Sequence, residues 1–143
     1  WPEWWPGLVS VEETAQGGDD GIGQRATSHW RGPLGYSIEF EIETTDRTFP
    51  GRLAGRATGD LAGLGTWLIG SVTDPEPPEG TWTQIVYEWN VVMTRKWMQL
   101  LNPVARPAFV HAHDYVMEQG AEGLAQHLNC EIRGFAKGEA DRN

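Results

Sequence analysis

The chain has 143 residues, a formal net charge of −9, eight tryptophans and one cysteine, Cys130. This length suits a single domain, and a lone cysteine excludes an internal disulfide, so a reducing, cytoplasmic setting is expected. The acidic balance, without any basic run, argues against nucleic acid or an anionic membrane surface as partner, and no apolar stretch nears the ~18 residues that span a bilayer.

The opening WPEWWPG has neither the basic nor the apolar region of a signal peptide, and it reads as the middle of a structural element. Residues 8–13 form a short β-rich run, and the Gly/Asp cluster at 16–21 is a turn. Residues 23–30 follow as a strand, and 31–35 (RGPLG) make a tight connection. Residues 36–43 then alternate, with Tyr36, Ile38, Phe40 and Ile42 on one side and Ser37, Glu39, Glu41 and Glu43 on the other. A period of two marks a half-buried antiparallel strand, and the glutamates read as its solvated face. Residues 52–58 are the next strand, closed by a turn at 59–63, and 65–72 the one after it. A proline-rich loop at 74–80 leads to the longest strand, 82–94, on which Ile85, Tyr87, Trp89, Val91 and Met93 share a face. Strands at hairpin spacing with no helix between them predict an antiparallel meander.

From Lys96 the period changes to about 3.6. Phe109, His113, Val116, Met117, Gly120, Leu124 and Leu128 fall on one stripe, against Glu118, Glu122 and Gln126. This predicts an amphipathic helix of roughly six turns. Asn102-Pro103 has the form of an N-cap and first helical position, and Pro107 predicts a kink or break. Gly120 and Gly123 weaken the helix by about 1 kcal/mol each relative to alanine, which close approach to the sheet would offset. The polar tail after Leu128 is expected to fray.

Large aromatics are concentrated on the inward side of the strands: Trp30, Tyr36, Phe40, Trp67, Tyr87 and Trp89. The small Ala26 and Ser28 beside them leave room. Two readings stand, a solid aromatic core or an apolar pocket between sheet and helix. The predicted pocket walls are Trp30, Tyr36, Phe40, Trp67, Tyr87, Trp89, Met93, Phe109, His113 and Met117. His111 and His113 stand two apart on a helix and so point apart, which removes a shared metal site. No cofactor is called for. His113 is either a core histidine or a proton donor or acceptor in the pocket, and Tyr87 either a core aromatic or a group that orients a ligand. Cys130 has no histidine partner nearby in sequence, and no Ser–His–Asp arrangement is present.

The opening WPEWWPG, the hairpin GDLAGLGTW and the final WMQLLNPVARPAFVHAHDYVMEQGAEGLAQHL together resemble the START-like superfamily. Within it they look like the SRPBCC group of polyketide cyclase/dehydrase and lipid-transport proteins. The resemblance covers about residues 1–128 and leaves 129–143 as a tail. It implies an α+β helix-grip fold, in which a curved antiparallel sheet wraps one long C-terminal helix. It also implies that a first strand and two short helices precede Trp1, so that the strands at 8–13 and 82–94 are left with open edges. The function it implies is binding of a small hydrophobic molecule of lipid, polyketide or aromatic type. The alternative is a cyclase/aromatase-like enzyme in which His113 and Tyr87 converge on one ligand position. A third possibility is an interaction module with exposed Trp1, Trp4 and Trp5.

Overall fold

The computed structural model describes residues 1–32, 35–74 and 80–136. Pro33 and Leu34 of the predicted connection, residues 75–79 of the proline-rich loop and the end of the tail lie outside the described residues, as does the side chain of Phe109. Six strands form in the predicted order: β1 (Leu8–Ala15), β2 (Arg25–Arg31), β3 (Ser37–Thr48), β4 (Arg52–Gly59), β5 (Leu61–Asp74) and β6 (Gly80–Met93). One helix, α1 (Lys96–His127), follows. Every strand pairs antiparallel with its predecessor, so β1 and β6 are the two edges of an open sheet.

The helix-grip expectation is overturned. Among the described residues the structure is mostly an antiparallel six-stranded sheet in sequential order with a single C-terminal helix, and no strand makes an extensive contact with that helix. Curling a sheet around a helix takes bulges. Register shifts occur in the β1–β2 and β3–β4 ladders, at Leu8/Ser10, Glu13/Ala15 and Thr44/Asp46. The β4–β5 and β5–β6 ladders pair without a shift, so this half of the sheet carries no bulge.

The helix reaches the sheet through the first residues of the chain. Residues 1–7 form turns, with Trp5 N–H donating to Trp1 C=O at 3.0 Å. Trp5 is 5 % exposed, and its indole Nε1–H donates to the Val116 carbonyl of α1 at 3.0 Å. The other side of the ring meets the sheet, edge-to-face with Trp30 at 5.2 Å and with Trp67 at 6.1 Å. Gly120 and Gly123 make this seat. A Cβ on Gly120 would strike the Trp5 ring, and one on Gly123 would strike the Trp4 carbonyl. The predicted close approach at these glycines is therefore made to Trp4 and Trp5 and not to the strands.

The helix begins at Lys96 and runs unbroken through 102–107, so neither the Asn102 cap nor the break at Pro107 is formed. Its start is set from the sheet. Arg95, at the N-cap position, donates from Nε to Asp60 Oδ1 at 2.6 Å, and Thr94 N–H donates to Asp60 C=O at 3.0 Å. Asp60 Oδ2 also accepts from Glu39 N–H at 2.8 Å, so one side chain ties β3, the β4–β5 turn and the start of the helix together. Lys96 is thus the first residue beyond these ties. The tail beyond α1 does not simply fray: the Arg133 guanidinium lies 4.7 Å from the centre of the Trp82 ring.

Candidate ligand-binding face

Alternation on the strands sorts the side chains as the pattern requires. Phe40, Ile42 and Ala57 share one side of the sheet, with Phe40 at 6 % and Ala57 at 1 % exposure. On the opposite side Glu39 meets His29, its cross-strand neighbour, at 3.2 Å, and Glu41 accepts from Thr14 Oγ1 at 2.7 Å.

The aromatic side carries a continuous file of rings. Phe40 lies 5.9 Å from Trp89, Trp89 stacks on Tyr87 at 5.5 Å, and Tyr87 stacks on Trp67 at 4.1 Å. Trp67 then meets Trp5, and Trp5 meets Trp30. These rings lie where they do because the strands beneath them are small. Gly65 stands opposite Trp89 in the β5–β6 register, and a Cβ there would collide with the Trp89 ring. Ser28, Gly55 and Ala57 continue the small, buried floor across β2 and β4. Trp30, Trp67, Tyr87 and Trp89 are each half-buried, so the described side chains do not seal this file. Burial pushes the Tyr87 phenol well above the ordinary tyrosine range, and it raises Tyr36 as well. The Trp30 indole Nε1 is buried without a hydrogen-bond partner among the described residues.

Of the residues expected to wall a pocket, Trp30, Phe40, Trp67, Tyr87 and Trp89 are brought together. Tyr36 folds against Gly32 in the β2–β3 connection, and Met93 and Met117 are half-buried on β6 and α1. His113 is displaced from the expected position: its side chain is 51 % exposed, with Nδ1 3.8 Å from Asp114. Among the described side chains of α1 the buried positions are instead Ala112 and Gly120, with half-buried Val116 between them. The stripe is thus set by what fits beneath Trp5, and it is turned one residue away from His113. Trp4 is half-buried and Trp5 buried, which removes the exposed tryptophan rim and leaves only Trp1 outward, at 55 %.

Two features escaped the sequence patterns. Asp60 reads as an ordinary turn residue, and its partners Glu39 and Arg95 are far off in the chain. The second is an open polar cleft of about 440 Å³ between residues 2–6 and the end of α1. It is lined by Pro2, Glu3, Trp4, Pro6, Gln119, Glu122, Gly123, Gln126 and His127. It lies at the helix end and not between the sheet and mid-helix, where a cavity was expected.

Comparison with protein-family models, curated proteins and solved structures found no match to this chain, so no relative stands behind the START-like resemblance. Among the described residues no helix is long and apolar enough to cross a membrane.

Proposed function

We propose that the protein binds a small, flat, hydrophobic molecule against the aromatic file of β5 and β6. The observation that carries this reading is the half-buried state of Trp67, Tyr87 and Trp89, which stack on one another above a glycine floor. Rings held in place by their neighbours lose little freedom when a ligand covers them. Such a ligand gains about 25 cal/mol for each Å² of apolar surface removed from water. The Tyr87 hydroxyl is the polar handle nearest the stack, and burial keeps it protonated, so it serves as a hydrogen-bond donor to a ligand oxygen. A binding role is favoured over a cyclase-like reaction because the His113 side chain is half exposed and its one ion-pair contact is with the neighbouring Asp114, not with the aromatic file.

The test is a titration with a neutral naphthalene-type fluorophore, reading both probe emission and tryptophan quenching. Saturable binding is expected, at least tenfold weaker in Trp89→Ala and unchanged in His113→Gln, with far-UV circular dichroism confirming that both variants fold. Equal affinity in wild type and Trp89→Ala would sink the proposal. Native mass spectrometry of the purified protein gives a second readout, the mass of any small molecule carried through purification.

A further inference from the structure

The two edges of the sheet are protected very unequally. β1 has eight residues, register shifts near both ends, and two adjacent glutamates, Glu12 and Glu13. Bulges and charge are the usual means by which an edge strand avoids pairing. β6 has fourteen residues, pairs with β5 without a shift and carries one charged side chain, Glu88. Its Ile85, Val86 and Val92 are 42 %, 40 % and 66 % exposed. Each antiparallel strand turns alternate N–H and C=O groups away from its neighbour, so a long, unblunted edge of this kind is a template for another strand.

We infer that β6 pairs antiparallel with β6 of a second copy of this chain, joining the two sheets into one. A second copy fits this edge because β6 is self-complementary about Tyr87. Pairing centred there sets Ile85 opposite Trp89 of the partner subunit and Gln84 opposite Asn90 of the partner subunit. Val86 then faces Glu88 of the partner subunit, and the two glutamates are kept apart. Centring on Glu88 would set like charges face to face, which is destabilising. The β1 edge of another copy would present Glu12 and Glu13 from a bulged strand, the features that keep an edge from pairing. The pairing makes the aromatic faces of the two copies continuous across the two-fold axis at Tyr87, which β6 carries on that face.

Sedimentation velocity over a concentration series tests this on the wild type and two surface variants. The wild type is expected to show a concentration-dependent dimer. Val86→Glu sets like charges opposite Glu88 at two symmetric places and is expected to weaken the dimer about tenfold. Val86→Lys sets opposite charges there and is expected to tighten it by a similar factor. Circular dichroism checks that both variants keep the fold. A wild type that stays monomeric up to roughly 100 μM overturns the inference. So does a dimer that both variants leave unchanged or that both weaken, since its interface then lies elsewhere or in another register. Slow amide exchange along residues 82–92 of a monomer would show the edge occupied by the chain's own segment, which overturns it as well.

Discussion

Replacing Asp60 with asparagine leaves an acceptor for the Glu39 amide but removes the charge that meets Arg95. The Asp60 side chain keeps 16 % of its surface exposed. Its burial raises the carboxyl pKa, but the Arg95 hydrogen bond, the Glu39 amide and the Arg95 charge outweigh that, and the net position is below the ordinary carboxylate value. A depressed folded pKa gives stability that is present above the unfolded value and lost as pH falls through the folded one. Asp60→Asn should therefore lower stability at neutral pH, and only modestly, the pair being partly solvated. The gap from wild type should close in acid, and urea unfolding at neutral and acidic pH checks both parts. Tyr87 behaves in the opposite sense. Its pKa is raised by burial, so its contribution is intact below the ordinary tyrosine value of about 10 and is lost as pH rises beyond it. Ultraviolet titration should find one tyrosine that ionises only as the protein unfolds, and Tyr87→Phe should abolish that step and flatten the alkaline loss of stability.

At the scale of elements, α1 is a helix whose sequence is weakened where it is held most closely. Alanine at position 123 adds about 1 kcal/mol of helix propensity but drives a methyl group into the Trp4 backbone. Overpacking costs about 1–3 kcal/mol, and backbone yields less readily than a side-chain tip. Gly123→Ala is thus expected to lower the thermal midpoint, whereas Gly70→Ala, where a Cβ meets nothing, should not lose stability through a clash. This contrast also marks what the sequence made legible. The strands at 36–43 and 82–94 could be read from period-two alternation, because a sheet with one wet side writes its register into every second residue, and the other four from β-rich runs set between turn signals. The aromatic file followed, since Phe40, Trp67, Tyr87 and Trp89 obey the same parity. What could not be read was how the helix meets the sheet. Its partners are Trp4 and Trp5, which belong to no periodic element, and the choice between Ala112 and His113 as the inward residue turns on a rotation of one position. Asp60 was hidden for a related reason: its role comes from two distant segments that only the folded sheet brings together.

At the scale of the molecule, Trp5 is the wedge between the two layers, touching Trp30 and Trp67 on one side and Val116 on the other. Trp5→Ala is expected to cost about 3–5 kcal/mol. The loss should be local first. Native-state hydrogen exchange should show the amides around Val116 losing protection while the β2–β5 ladders keep theirs, because those strands hold one another without the wedge. The same arrangement sets an order in time. Each strand finds its partner next door in the chain, so the meander can zip from one hairpin to the next over short loops. The Trp5–Val116 hydrogen bond joins residues 111 positions apart, and drawing together ends so distant costs about 4 kcal/mol of chain entropy when nothing has shortened the path. The assembled sheet supplies that shortening, since it already brings Trp30 and Trp67 to where Trp5 must sit. On a ribosome or in a refolding experiment, the helix should therefore be the last piece to settle, with tryptophan fluorescence reporting its docking as a phase later than the gain of β-structure.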